Sequence, residues 1–339
     1  MGLSNQFVAR VTGKGANVIN RFLMNWQLVD AAGHQSDQLT LTVAAPSLDS
    51  LPVEGEQLGF SWGDVVNGKE NLIDKGQYTI TRITPKLWPH QVTIVATAAQ
   101  FQVADQTEFK RRRSQTWENT TVGALFRELV NRHNLSPRIS SDLDGIAIQH
   151  IDQTDETDMA FLTRLARKYD AVAKPIDKLY VMGRRGQLKS ITGQSLQPVT
   201  FSLPENNQPT SSSFINASVD FPSRRRFSGV WGFWLDQNTG EEKKVSVGEF
   251  PFKRLTQRFE SEAIAKQQCE SELRKLSRTG SSVRLDVPAN PHLTAEGLIE
   301  LNDTFPVYMM GKWSLDKVVT NGSVKNGTRT TLHATQPQN

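Results

Sequence analysis

The chain has 339 residues, 37% of them hydrophobic, with a mean hydropathy of −0.45, a formal net charge of +4 and a pI near 9.1. That length suits two or three domains with ample core, and no apolar run approaches the roughly 20 residues that a bilayer-spanning helix needs. Met1 to Arg10 lacks the basic-then-apolar pattern of a secretory signal, and the single cysteine, Cys269, excludes an internal disulfide framework or a thiolate metal site.

Residues 7–104 read as all-β. Phe22, Met24, Trp26 and Leu28 alternate, as do Leu39, Leu41 and Val43 among threonines. Leu58, Phe60 and Trp62 alternate again, followed by Tyr78, Ile80 and Arg82, then Val92, Ile94 and Ala96. Period-two runs separated by turn residues predict half-buried antiparallel strands, here punctuated by Pro46, Pro52, Pro85 and Pro89. Four or five such strands suit a small barrel or sandwich, which removes exposed edges.

From residue 105 to 200 the pattern changes. Thr120 or Thr121 can cap a helix with Val122, Leu125, Phe126, Leu129 and Val130 on one face, and Asn134 supplies a left-handed stop. Ile146, Ile148 and His150 alternate as a short strand. Gln153 to Tyr169 reads as one helix capped by Thr154 or Thr157. Asp155, Glu156 and Asp158 crowd its start and Arg164, Arg167 and Lys168 its end, an order that suits the helix dipole. Met159, Leu162, Leu165, Ala166 and Tyr169 form its apolar stripe, with Phe161 beside it. Ala171 to Lys174 and Leu179 to Met182 form a hairpin around residues 175–178.

Residues 204–213 are polar and breaker-rich, a linker or loop. A second β-rich region follows, opening on Val219, Phe221 and the aromatic group Phe227, Trp231, Phe233 and Trp234. Asn238-Thr239-Gly240 is a hairpin turn, and residues 261–278 form one long helix lined by Ala265, Cys269, Leu273 and Leu276, which makes Cys269 a core residue. Strands are expected at Val283 to Val287, Gly297 to Leu301, Trp313 to Val319 and Thr328 to Ala334, with Asn321-Gly322 and Asn326-Gly327 as turns. The fold class is α+β, mainly β. The expected domains are a first barrel over 1–105, with 214–235 as candidate completing strands, an α/β insert over 106–203, and a second barrel over 204–339.

No catalytic constellation, cofactor motif or metal-ligand set emerges. The six histidines form no H-x-x-x-H pair, and there is no G-x-S-x-G elbow or Walker A sequence. Gly13-Lys14-Gly15 resembles a phosphate-loop fragment but lacks its spacing, and no following helix is expected. Glu156 and Asp158 are the one tempting carboxylate pair, and helix-start electrostatics account for them. Basic clusters lie at Lys110 to Arg113, Arg184-Arg185 and Arg224 to Arg226. Solvated faces or interchain ion pairs explain these better than nucleic-acid binding, since no base-reading motif accompanies them.

Two blocks carry a resemblance. One holds K-R-R-R-S-Q-T-W-E-N-T-T-V-G-A-L-F and I-D-Q-T-D-E-T-D-M-A-F-L-T-R-L-A-R-K-Y-D-A-V; the other holds L-T-A-E-G-L-I-E-L and G-K-W-S-L-D-K-V-V. Within them Gln153, Glu156, Asp158, Phe161, Leu162, Arg164, Leu165 and Ala166 fill a Q-x-x-E-x-D-x-x-F-L-x-R-L-A pattern. The chain resembles the late control D family, the tail hubs of contractile-tailed phages and phage-tail-like bacteriocins, and the hub portion of type VI secretion spike proteins. The histidine that the family often carries after the W-x-x-x-x-V strand is absent; Val319 is followed by Thr320-Asn321, read as turn variation.

The resemblance implies a non-enzymatic homotrimer in the tail baseplate of a virion or phage-tail-like particle. Two barrels per chain would give a ring of six, matching a six-fold tail tube and a three-fold spike. The implied partners are the tail tube protein, the central spike protein, other baseplate proteins and the tape measure protein, with no membrane or nucleic acid. The sequence stops after its last expected strand, so the spike is expected to be a separate polypeptide. Candidate interface residues are Arg111, Arg112, Arg113, Arg224, Arg225, Arg226, Trp231 and Trp234, with Phe233 beside them; the aromatics could equally fill the second barrel's core. A tail-tip cell-wall hydrolase and a basic nucleic-acid-binding barrel are the alternatives.

Overall fold

The structure is a computed structural model and describes residues 6–32, 36–45, 52–98, 111–176, 179–184, 197–221, 227–278, 281–323 and 327–336. It is mainly β. The first stretch carries β1 (Gln6–Gly13), α1 (Ala16–Phe22), β2 (Leu23–Ala31), β3 (Gln38–Ala44), β4 (Gln57–Val66), β5 (Lys69–Lys86) and β6 (Gln91–Thr97). The period-two residues fall inside as expected: Leu39, Leu41, Leu58, Phe60, Trp62, Tyr78, Ile80, Val92, Ile94 and Ala96 are buried in one core.

Two local expectations fail here. Phe22 ends a helix instead of opening a strand, and that helix directly follows Gly13-Lys14-Gly15. Seven residues are too few to print a helical period on the sequence. A tertiary clasp holds α1 in place: the Asn20 side chain accepts from Val11 N at 2.8 Å and donates to Val11 O at 2.7 Å. Lys14 turns to Glu56 at 2.7 Å, so the glycine–lysine turn has a structural occupation of its own.

The middle stretch holds β7 (Arg112–Thr121), α2 (Val122–Asn131), β8 (Ser136–Ile139), α3 (Ser141–Asp144), β9 (Ala147–Thr157), α4 (Asp158–Lys168), β10 (Ala171–Ile176) and β11 (Leu179–Arg184). Thr121 caps α2, its hydroxyl accepting from Ala124 N, and Asn134 takes a left-handed φ of 57°. The helix expected from Gln153 starts only at Asp158. Gln153 to Thr157 instead continue β9, held by β7 along a register that pairs Gln115 with Gln153 and Arg112 with Thr157. Thr157 is the cap, accepting from Ala160 N. Met159 therefore points outward at 37% exposure, while Phe161, Leu162, Leu165 and Ala166 are buried. These pack with α2, Tyr169 and Tyr180 into a separate core.

The last stretch holds β12 (Val199–Phe201), β13 (Asn216–Asp220), β14 (Gly229–Leu235), β15 (Glu242–Gly248), β16 (Phe252–Phe259), α5 (Glu262–Arg278), β17 (Ser282–Pro288), β18 (Leu298–Leu301), β19 (Gly311–Ser323) and β20 (Gly327–Thr335). Asn321-Gly322, expected as a turn, lies within β19 and pairs with Gln27 and Trp26 of β2. Thr320 is likewise a buried strand residue. A Cβ on Gly322 would come 2.1 Å from the Trp26 indole, so this glycine leaves room for a ring on the neighbouring strand.

The β2–β19 pairing, from Ala31–Lys317 to Asn25–Ser323, joins two strand-rich halves into one 12-stranded sheet. Its main path runs β1-β4-β5-β6-β3-β2-β19-β20-β17-β13, and β18 links β19 to β12. Each half keeps its own core, the second built around Leu285, Ile299, Trp313, Leu315 and Leu332. The other face of the sheet near the seam is polar: Thr42 pairs with Thr93, Thr40 with Gln27, and Gln27 donates to Asn321 at 2.8 Å. The strands within 214–235 go to two places. β13 lies beside β17, whereas β14 joins β15 and β16 in a separate three-stranded sheet under α5.

Candidate functional site

The Q-x-x-E-x-D motif builds a polar knot at the junction of β7, β9, α2 and α4. Asp158 is fully buried, and so is Gln153 at 1% exposure. Gln153 Nε2 donates to Asp158 Oδ1 at 2.8 Å and to Glu156 O at 2.9 Å. Asp158 Oδ2 accepts from Arg113 at 3.0 Å and meets His133 Nε2 at 2.9 Å, with Arg132 at 3.6 Å. Burial pushes the His133 imidazole below its ordinary pKa, against the pull of Asp158. Around the knot, Arg164 pairs with Glu156 at 2.5 Å and lies 4.9 Å over the Phe161 ring, which stacks on Trp117 at 5.2 Å. Both carboxylates of the tempting pair are thus held by arginines. Asp158 does more than favour the helix start: it ties β7, β9 and the end of α2 to α4.

A second constellation sits where the two halves and the insert meet. Asp30, at the end of β2, accepts from Ala295 N at 2.8 Å, and Asp37 accepts from Ala31 N at 3.3 Å. Lys75 of β5 donates to Pro291 O at 2.6 Å. Burial, then the charge of Asp30, pushes the Asp37 carboxyl up to about 7, with Lys174 of β10 opposing. Burial works against the Lys174 ammonium, yet Glu296, Asp37 and Asp30 together hold its pKa above the ordinary value. Sequence reasoning missed this group, because its members come from elements far apart in the chain and share no spacing.

The arginine candidates of the first run turn inward or pair locally. Arg112 pairs with Asp155 at 2.9 Å and Arg113 with Asp158, while Arg111 precedes β7 at an exposed position. Arg224, Arg225 and Arg226 lie outside the described residues. The aromatic candidates sit on the three-stranded sheet, not in the second β core. Trp231 and Phe233 occupy one face of β14, edge to face at 5.2 Å and 86°. Trp234 alternates to the other face, paired with the buried Phe259 on the side where α5 packs. Lys244 Nζ lies 4.6 Å from the Trp231 ring centroid, and the Arg254 guanidinium lies 5.2 Å from Trp231 and 5.7 Å from Phe233.

A family model described as the phage tail baseplate hub (GPD) matches residues 73–326. The probable baseplate hub protein of Escherichia phage P2 is 30% identical over 223 residues, 65% of this chain and 53% of that protein, so the chain spans about half the length of that relative. The 43 kDa tail protein of prophage MuSo2 from Shewanella oneidensis shares the fold over 98% of this chain and 99% of that one, with a TM-score of 0.65 at 13% identity. The Escherichia coli c3393 protein, a component of the type VI secretion system, matches over 97% of this chain and 77% of that one, with a TM-score of 0.58 at 10% identity. The family match covers the whole Asp158 knot and the β19 side of the seam, and the chain belongs to the phage tail baseplate hub family, whose members are components of the virion tail.

Proposed function

We propose that the chain works as a structural adaptor: three copies close into a ring that joins a six-fold tail tube to a three-fold spike. Residues 1–105 and 204–339 supply the two barrel-like units of each copy, and 106–203 form the insert that braces them. The observation that carries this reading is the β2–β19 seam. It sets two strand-rich halves, each with its own core, side by side in one sheet. Three such pairs present six similar surfaces in a closed assembly. The partners in this reading are the tail tube protein, the central spike, other baseplate proteins and the tape measure protein. The work is mechanical and needs no cofactor or turnover. The engagement of Glu156 by Arg164 and of Asp158 by Arg113 and His133 speaks against a carboxylate hydrolase.

Native mass measurement of the purified chain, and of tails assembled around it, tests the reading. A trimer is expected in both. A strict monomer inside assembled tails would overturn it, as would peptidoglycan clearing by the isolated chain that is lost on Glu156→Gln.

A further inference from the structure

We propose that the open face of the β14–β15–β16 sheet is a docking surface for an acidic segment of a partner protein, one that sets an apolar side chain beside its carboxylates. The proposal rests on the assembly reading only for the existence of a protein partner; the chemistry comes from the face itself. α5 covers one side of this sheet, with Lys253 of β16 bonded to Glu272 of the helix at 2.5 Å. On the other side Lys244, Ser246 and Arg254 are exposed around the half-buried Trp231 and Phe233. Leu235, farther along the same face, is 45% exposed.

The charges on this sheet divide into two groups. Lys243 pairs with Asp236, Lys253 with Glu272 and Arg258 with Glu242. Among the described residues, Lys244 and Arg254 have no carboxylate; their contacts are the faces of Trp231 and Phe233. One cation stands on each flanking strand, so the Trp231 indole lies between two unneutralised charges. A cation held over a ring is pre-positioned, which lowers the ordering cost when a partner binds. Trp and Arg are also the residues most often found as energetic anchors of protein interfaces. A segment with carboxylates for Lys244 and Arg254, and a leucine-like side chain against Trp231 and Phe233, would meet the two unneutralised cations and the two rings together.

Nucleic acid fits less well. The Trp231 and Phe233 rings stand at 86° to each other and offer no parallel platform for successive bases.

The test is fluorescence anisotropy of the full chain with a labelled peptide, Glu-Glu-Leu-Glu-Glu-Leu-Glu-Glu. Its comparators are the same peptide with lysine for glutamate and a single-stranded oligonucleotide of equal charge. Saturable binding of the acidic peptide is expected, weakened by salt and by about tenfold or more in the Lys244→Glu/Arg254→Glu double variant. Trp231→Ala should weaken it as well. The Lys244→Gln/Arg254→Gln pair, checked by thermal melting, decides the matter should charge reversal disturb folding. No saturable binding at millimolar peptide overturns the proposal, and so does equal binding by the double variants. Tighter, Lys244- and Arg254-dependent binding of the oligonucleotide overturns it in favour of nucleic acid. The mass measurement is independent: a trimer that ignores the peptide removes the docking surface alone, and a monomer that binds it removes the ring alone.

Discussion

His133 Nε2 stands 2.9 Å from Asp158 Oδ2, with both side chains closed off from solvent at 2% and 0% exposure. The pair joins the residues just past α2 to the first turn of α4, and Arg113 brings β7 to the same oxygen. Removing the carboxylate takes an anion away from a guanidinium that is only 13% exposed. Asp158→Ala should therefore destabilise the insert by about 3–5 kcal/mol, the usual effect of breaking a buried pair from one side. Glu156→Gln should cost less than about 1 kcal/mol, because its partner Arg164 is 50% exposed and screened by water. Urea unfolding followed by circular dichroism checks both, and equal effects would contradict the knot.

Gly322 and Trp26 make a steric prediction at the seam of the two halves. A methyl at position 322 would stand 2.1 Å from the indole, so the ring must shift for the methyl to fit. Gly322→Ala should cost about 1–3 kcal/mol by overpacking. In a Trp26→Ala background that cost should vanish, and the double-mutant cycle measures the difference. Additive effects would place the ring elsewhere.

The strands of the first half were legible because Leu39, Leu41, Leu58, Phe60 and Trp62 alternate without interruption against one core. The α2 helix was legible for the same kind of reason, with Thr121 as its cap and Asn134 as its left-handed stop. What misled was local information overridden by distant pairing. Gln153 to Thr157 have a helix-like acidic composition, yet β7 draws them into a strand. Asn321-Gly322 has turn chemistry, yet β2 extends it. Asp30, Asp37 and Lys174 meet only after three separate elements have folded together. Of the candidate contact residues, Trp231 was nameable from composition. Lys244 and Arg254 were not, since only the register of β15 and β16 brings them onto its ring.

Cys269 offers a probe of α5. It is fully buried, and burial, aided by Glu270, pushes its thiol up to about 11. At neutral pH the native thiol should react with a disulfide reagent at least ~100-fold more slowly than the unfolded chain, because both thiolate fraction and access are suppressed. The residual rate should rise in step with variants that loosen α5, as expected for modification through local opening. Stopped-flow absorbance measures it, and fast native labelling would contradict the burial of the helix face.

Asp37 makes stability depend on pH in a direction opposite to that of most carboxylates. In the unfolded chain its carboxyl ionises near the ordinary value of about 3.9. In the fold, burial and the neighbouring Asp30 hold the proton until about 7. Between these values the native state binds a proton that the unfolded state has released, so this contribution to stability is full at low pH and is lost as pH rises through 7. The complete shift, with the opposing charge of Lys174 already included, corresponds to about 4 kcal/mol as an upper bound. Asp37→Asn keeps an amide in the same place without the titration. Its urea midpoint, relative to that of the native sequence, should rise between about pH 4 and pH 7 and level off above that, and His133 and the other titrating groups cancel in the comparison. A difference that stays constant across that range would mean that Asp37 is ionised in the fold and neutralised by Lys174 throughout.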